Sequence, residues 1–472
     1  MVKVLLTNTY DQAAMGALQE VGGKQIPLGL CYIAAMLEKE GHTVAINDEL
    51  VGQDALSRIS KIKPDVVFLS VFPSSVERAI RLAKACKEIG AMVVVGGAVA
   101  HTNVAKYYLD RIGADVLVMG EGEFASVELL KKVKVEKGKR DIPHWHAIPG
   151  LIFYNQGKLV NTGDPKIIVD LDSLPFPAVH LLDLGLYNGP TELGFFESMG
   201  RPTVSLMTAR GCQFACHFCA SANRKGRPVR FRSPENIVAE IEMYVNTCGV
   251  RHFCFNDDTF TANIPRVIKL CNLIIETGLS KKICWIVQTR AEICTEEMFQ
   301  KMKAAGCVQV AFGVESGSPK VLTVCNKMLD LDLVRRGVVW AKKAGLRVKT
   351  YWQIGLPGEE EADFNMSLNL VKELNPDYVW LSFFTPLPNT KFFEDMKTEL
   401  KLDELDEKTY FSINRDQTLV SRHKKFLRVF YLRPAYLFRF LKRFSFDELR
   451  YYWLMSGAFV RQFLPRGKPV GN

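Results

Sequence analysis

No stretch of the 472-residue chain reaches the roughly 18 uninterrupted apolar residues that a membrane-spanning helix needs. The start, Met1-Val2-Lys3-Val4-Leu5-Leu6, runs into Thr7-Asn8-Thr9 and lacks the long apolar core and cleavage site of a secretory signal, so a cytoplasmic location is expected. No internal repeat or low-complexity tract stands out. With 48% hydrophobic and 24% charged residues, the composition excludes a disordered chain, a collagen-like or coiled fibre, and a small disulfide-stapled module. Two or three domains fit this length. Twelve cysteines without an export signal imply a reducing compartment, where clustered cysteines bind metal rather than pair.

Excess charge is missing from the body of the chain. Residues 421–472 hold twelve Lys/Arg against two Asp/Glu, and the other 420 residues hold 49 of each sign. The net charge of +10 therefore belongs to the tail.

Residues 1–140 alternate short apolar runs (Val4–Leu6, Val66–Val71, Met92–Val95, Val116–Met119) with helical patterns such as Leu30, Ile33, Ala34, Leu37 and Val76, Ile80, Ala83. Strands covered on both faces read this way, and the pattern predicts a doubly wound α/β domain. Ligands of such sheets bind beyond the strand carboxyl ends, where Ser70, Gly96-Gly97 and Gly120-Glu121-Gly122-Glu123 fall. Residues 141–200, rich in Pro, Gly and Asp, read as a connector. Residues 201–395 carry six strand candidates, at 204–208, 250–256, 284–289, 308–313, 347–354 and 378–384, with room for a helix after each. Six such units predict a partial barrel with its reactive mouth at the strand carboxyl ends. Ser233-Pro234-Glu235 opens one of its helices.

Gly211-Cys212-Gln213-Phe214-Ala215-Cys216-His217-Phe218-Cys219 sets three cysteines at C-x3-C-x2-C spacing just after the first barrel strand. Three thiolates on one tight loop suit three corners of a cubane iron–sulfur cluster. The next cysteine, Cys248, is 29 residues on, which leaves the fourth iron for an exchangeable ligand. A zinc knuckle completed by His217 or Cys248 is the alternative.

This loop, with Phe218 before its last cysteine, resembles the signature of radical S-adenosylmethionine (SAM) enzymes. Met207–Cys212, Phe255–Thr261, Ala305-Gly306-Cys307, Phe312–Ser318 and Gly355-Leu356-Pro357-Gly358-Glu359 resemble blocks of the subgroup with an N-terminal cobalamin-binding domain. Pro27-Leu28-Gly29-Leu30, Val95-Gly96-Gly97 and Gly120–Glu123 resemble its cobalamin half. The implied fold is α/β: a Rossmann-like cobalamin-binding domain (1–140), the connector (141–200), a partial (βα)6 TIM-like barrel (201–395) and a helical region (396–472), strongly basic after 421.

The resemblance implies a [4Fe–4S] cluster on Cys212, Cys216 and Cys219, with SAM on its open iron. One-electron cleavage of SAM then yields a 5′-deoxyadenosyl radical that takes hydrogen from an unactivated carbon. The electron comes from a donor of flavodoxin or ferredoxin type. Phe218 is implied against the adenine, Asp257 and Asp258 at the methionine amino group, Arg290 at the carboxylate, and Glu315 at the ribose. Gly355, Pro357 and Gly358 are implied near the adenine. Pro27, Leu28, Gly29, Ser70, Gly96, Gly97, Gly120, Glu121, Gly122 and Glu123 are implied around cobalamin. The Asp-x-His-x-x-Gly element of other cobalamin-dependent methyltransferases is absent. Asp48 is followed by Glu49-Leu50-Val51-Gly52, so no histidine from that element can ligate cobalt.

The implied activity is C-methylation of an unactivated carbon on a hydrophobic or membrane-borne substrate of lipid or tetrapyrrole type. Oxidative ring closure or ring rearrangement is an alternative within the family, and a zinc-stabilised, membrane-tethered scaffold one outside it. The tail 421–472 interleaves thirteen aromatic residues with its cations, with helices expected from Pro434 and around Tyr451–Met455. Such a composition suits an anionic membrane surface at the inner face of the membrane, or a helical cap on the barrel. Single-stranded nucleic acid is the least favoured partner.

Overall fold

Where an apolar run is continuous, both faces of its strand have to be covered, and this requirement organises each half of the molecule. A computed structural model describes residues 1–11, 24–101, 104–131, 142–188, 200–221, 228–400, 416–436 and 438. In the first half β1 (Lys3–Asn8), β2 (Thr43–Asp48), β3 (Val66–Ser70), β4 (Met92–Gly96) and β5 (Val116–Val118) form a parallel sheet in the order β2-β1-β3-β4-β5. Alternate residues of a strand enter opposite layers. Leu5, Val67 and Val93 pack under the helices Ala55–Ile62, Val76–Glu88 and Ala105–Ile112. Val4, Phe68 and Val94 pack under Leu28–Lys39 and Gly122–Lys131. The strand order reverses between β1 and β3, and the crevice beyond their carboxyl ends is where such a sheet receives a ligand.

Two features depart from the expected layout. The edge strand β2 is not among the expected strands; its short apolar run, Val44-Ala45-Ile46, is flanked by Thr43, Asn47 and Asp48, and the strand is held by pairing along β1. The sheet also continues into the connector, where β6 (Leu151–Asn155) pairs antiparallel with β5, and β7 (Lys158–Asn161) with β6. Gln156 and Gly157 both take positive φ in the tight turn between these two strands.

The second half is a six-stranded parallel sheet in simple sequential order. Its strands are β8 (Thr203–Leu206), β11 (His252–Phe255), β12 (Cys284–Thr289), β13 (Cys307–Glu315), β14 (Arg347–Ile354) and β15 (Tyr378–Phe383). A small antiparallel ribbon, β9 (Ala209–Arg210) with β10 (Arg230–Phe231), follows β8. Helices cover the outer face. The one over Pro234–Thr247 starts as the sequence predicts, with the Ser233 hydroxyl accepting from the Asn236 N–H at 3.1 Å and Pro234 at its first position. The outer core is aromatic: Phe255 stacks on Trp285 at 4.9 Å, and the Trp285 indole N–H donates to the Ala305 carbonyl at 2.8 Å. On the inner face, Cys254, Ile286 and Ala311 form a separate apolar patch with Val308 and Tyr351 against it.

The basic tail begins as a cap. The helix Gln417–Tyr431 buries Phe426 and Phe430, with Phe426 against Trp352 at 5.5 Å. Its Arg422 and Lys425 reach Glu361 at 3.0 and 3.3 Å. Residues 434–436 are helical, as the pattern from Pro434 predicts. The helix expected at Tyr451–Met455, with nearly all of the stretch after 436, lies outside the described residues. Among the described residues no helix is long and apolar enough to cross a membrane.

Trp285→Ala removes the centre of the outer core and leaves the Ala305 carbonyl without its indole donor. It should destabilise the barrel by about 3–5 kcal/mol, read as a lower urea midpoint in tryptophan-independent far-UV circular dichroism.

Candidate active site

The cysteine loop leaves β9 through Gly211, whose φ of +97° is open to glycine and strained for other residues. A Cβ there would lie 3.3 Å from the Pro228 carbonyl, at the returning end of the loop. The segment between β8 and β9 is pinned from below by Asp257. Its buried carboxylate accepts the N–H groups of Thr208 and Ala209 at 2.6 and 2.9 Å, and the Thr208 hydroxyl. Burial pushes the Asp257 carboxyl up; Arg266 and these hydrogen bonds oppose the shift. Asp257, expected at an amino group of SAM, is thus committed to the backbone that carries the cysteines, whereas Asp258 is exposed beside it.

The barrel strands deliver the other groups to the same mouth. Cys212 Sγ is 3.4 Å from Thr259 Oγ1 beyond β11. Cys216 Sγ is 3.7 Å from Arg290 Nη1 at the end of β12. Burial pushes the Cys216 thiol up, while the charges of Lys327 and Arg290 pull it down. Glu315, ending β13, accepts from Lys327 Nζ at 3.1 Å and from Gln353 Nε2 at 3.0 Å. Its φ of +68° is a strained value for a side chain with a Cβ. Gly313 makes room for it, because a Cβ at 313 would lie 2.7 Å from Glu315 Oε1. Lys327 Nζ stands 5.7 Å from the Phe218 ring, and Phe218 packs on a small apolar cluster that includes Leu356 of the Gly355–Gly358 turn. Gly355 (φ +78°) donates its N–H to Glu359 at 2.8 Å, and Gly358 is exposed with φ +80°. Cys212, Cys216, Phe218, Arg290 and Glu315 therefore meet at one end of the barrel. Thr259 after β11, Gln353 within β14 and Lys327 after the helix Pro319–Val324 join them; Thr259 falls in the Phe255–Thr261 block, whereas Lys327 and Gln353 carried no sequence signal.

The three cysteines suit a cluster, since each protein ligand of a cubane binds its own iron. The proposed completions of a zinc knuckle are both elsewhere. His217 Nδ1 contacts the Val324 carbonyl at 3.0 Å, and Cys248 caps the helix Pro234–Thr247 beside the Thr247 hydroxyl.

At the carboxyl ends of the first sheet, Ser70 and Gly96 are half-buried on either side of the β3–β4 register. Gly97 has φ +90°, and a Cβ there would lie 2.8 Å from the Val71 carbonyl, so only glycine lets these turns close together. Pro27 precedes the helix Leu28–Lys39, and Gly29 is exposed on its first turn. Asp48 is enclosed by the Tyr187 hydroxyl at 2.8 Å, the Asn8 amide at 2.8 Å and the Leu50 N–H at 3.0 Å. Gly120 (φ +67°) turns the chain into the helix Gly122–Lys131, and Gly122 lies close to Ile33.

Glu121 and Glu123 make a different connection from the cofactor contacts expected of them. Glu121 pairs with Arg230 through both oxygens and with Arg210 at 3.2 Å, and Glu123 pairs with Arg210 at 2.5 Å. All four side chains are largely buried. Arg210 and Arg230 are the two facing strands of the ribbon from which the cysteine loop hangs. The first half thus grips the base of that loop. Gln25 adds a second bridge, its Oε1 accepting from Asn256 Nδ2 at 2.6 Å.

Similarity to known proteins bears on what binds here. Residues 206–371 match the Radical SAM superfamily, and residues 16–130 match the B12 binding domain. An uncharacterised methyltransferase of Pyrococcus horikoshii is 30% identical over 455 residues, covering 93% of this chain and 94% of that protein. The chain is a cobalamin-binding radical SAM enzyme. An anaerobic magnesium-protoporphyrin IX monomethyl ester cyclase of Cereibacter sphaeroides is 26% identical over 81% of this chain and 62% of its own length. The radical SAM methyltransferase TsrM of Kitasatospora setae, solved with cobalamin and a [4Fe–4S] cluster bound, shares the fold. Its TM-score is 0.67 at 19% identity, over 85% of this chain and 75% of that one. The cofactors of this radical SAM enzyme are accordingly a [4Fe–4S] cluster, SAM and cobalamin, and it draws on a reductant. The zinc scaffold considered from sequence is thereby replaced by an enzyme.

Burial works to raise the Glu121 carboxyl, but Arg230 and Arg210 overcome it and hold it below the usual range. A depressed folded-state value stabilises above the unfolded pKa, about 4.3 for Glu, and that stability is lost as pH falls through the folded value. Urea midpoints should therefore drop below about pH 4, and Glu121→Gln should lose part of that pH dependence. Glu121→Ala should cost about 3–5 kcal/mol by leaving buried arginine unpaired.

Proposed function

We propose that this enzyme transfers a methyl group to an unactivated carbon of a hydrophobic substrate, of lipid or tetrapyrrole type. The observation that carries the reading is the juxtaposition of a cysteine loop and a cobalamin-type domain in one rigidly bridged unit, colinear over 93% of the chain with a protein named as a methyltransferase. The apolar inner wall of the barrel, at Cys254, Ile286 and Ala311, supports a hydrophobic substrate. Bound together, the three cofactors supply a one-electron cleavage that makes a carbon radical, and a methyl group for it.

The protein's residues bind, orient and exclude water. Cys212, Cys216 and Cys219 hold the cluster. Phe218 and the Gly355–Gly358 turn, already packed on a common cluster, border the adenine. Glu315, fixed by Lys327 and Gln353, takes the ribose hydroxyls. Asp258 faces the methionine amino group, and Asp257 shapes the loop beneath. Ser70, Gly96 and Gly97 border cobalamin at the switch point of the first sheet. The Asp48 segment would offer cobalamin no histidine, and the Asp48 carboxylate is enclosed by Tyr187 and Asn8. An electron donor of flavodoxin or ferredoxin type and, through 421–472, an anionic membrane surface complete the partners.

The cyclase relative favours a second reading, ring closure without methyl transfer. SAM labelled at its methyl group separates them: label enters the product of methylation and is absent from the product of cyclisation. Cys216→Ala should abolish release of 5′-deoxyadenosine while cobalamin binding stays near the parent value; SAM cleavage at the parent rate would remove the site assignment. The full chain should co-sediment with anionic vesicles and not with neutral ones, and a truncation after 436 should lose the difference.

A further inference from the structure

Arg290 directs every face of its guanidinium at a different segment. Its side chain is buried where β12 ends. Nε pairs with Glu292, two residues on. Nη2 donates to the Lys327 carbonyl at 2.6 Å. The flat face lies 3.7 Å from the centre of the Phe214 ring, inside the cysteine loop. Nη1 points at Cys216 Sγ at 3.7 Å. A bidentate grip on a carboxylate requires two parallel N–H groups on one free edge. Here Nε donates to Glu292, Nη2 to the Lys327 carbonyl and at 3.5 Å to the Met328 carbonyl, and Nη1 to Cys216, so the Nε–Nη2 edge and the Nη1–Nη2 edge are both engaged and neither is open to the carboxylate of SAM.

We infer that Arg290 is a positioning residue for the cluster: it fixes the cysteine loop through Phe214 and donates an N–H to the Cys216 sulfur, raising the cluster's reduction potential. The inference rests on the reading that Cys216 ligates the cluster. Reduction adds negative charge that spreads onto the ligand sulfurs, so a hydrogen bond to sulfur stabilises the reduced form more than the oxidised one. The site's charges make the contact matter more than the net field. Glu292 offsets the charge of Arg290, and Glu315 offsets that of Lys327. What remains at Cys216 is chiefly the directed N–H. A radical SAM cluster must accept an electron from a biological donor, and a donor group at one ligand eases that acceptance without changing the donor.

The test is a potentiometric titration of the anaerobically reconstituted holoenzyme, followed by low-temperature electron paramagnetic resonance of the reduced cluster. Iron content is measured alongside for the parent, Arg290→Met, Arg290→Lys and Glu292→Gln. The midpoint of Arg290→Met is expected to be more negative than the parent's. Arg290→Lys should fall between the two, since it keeps the charge and loses the fork. Glu292→Gln should move the other way, because the guanidinium then faces the sulfur without its counter-charge. Arg290→Met titrating at the parent midpoint with a full cluster overturns the inference. Should Arg290→Met fail to assemble a cluster, Arg290→Lys and Glu292→Gln both titrating with the parent overturn it equally. A parent that binds no iron under these conditions overturns the cluster assignment beneath it, an outcome the midpoints of the variants cannot mimic.

Discussion

Two carboxylates on the first half and two guanidinium groups on the second are withdrawn from water together. Any one of them buried without its partner would cost several kcal/mol. Glu121 and Glu123 therefore oblige the two halves to dock in the register that presents Arg210 and Arg230. These arginines belong to the ribbon that opens and closes the cysteine loop, with Arg210 directly before Gly211-Cys212. Docking of the halves and placement of the loop are one event. The bridges from Gln25 to Asn256 and from Tyr187 to Asp48 add to it, tying the first half to the barrel and the connector to the sheet.

Around the loop, the barrel contributes by a common device: the last residue of a strand, or one of the two that follow it, turns inward. Asp257 receives the loop's backbone, Arg290 its second cysteine, and Glu315 the Lys327 and Gln353 side chains. The positive φ of Glu315 is tolerated because Gly313 vacates the space and because two hydrogen bonds hold the carboxylate. Strain at such a point is a mark of a group held for a purpose. The electrostatics follow the same economy, with each buried cation near the cysteines matched by its own carboxylate, Arg290 by Glu292 and Lys327 by Glu315. Specific hydrogen bonds, more than a bulk positive field, then govern what happens at the sulfurs.

The six barrel strands and four of the first-half strands stand close to where their apolar runs placed them, because a strand buried on both faces leaves a continuous local signature. The edge strand β2 and the β6–β7 hairpin were missed although each carries a short apolar run, Val44-Ala45-Ile46 and Leu151-Ile152-Phe153-Tyr154. The first is flanked by polar residues, and the second sits in a Pro- and Gly-rich stretch that reads as a connector. Zinc was compatible with the cysteine spacing alone. It lost ground when His217 turned to the Val324 carbonyl and Cys248 to a helix end.

By itself the sequence determined the elements that depend on neighbours a few residues apart: the C-x3-C-x2-C loop, the Ser233 cap, the glycines of the strand-end turns. Tertiary structure decided the roles that depend on partners far along the chain. Glu123 meets Arg210 across 87 positions and Glu121 meets Arg230 across 109, while Arg290 meets Cys216 across 74. Spacing in a chain encodes local geometry, and an acidic residue after a strand looks the same whether it will face a cofactor or an arginine from another domain. Only the docking of the two sheets, whose register the pairing of those buried charges fixes, settles which it is.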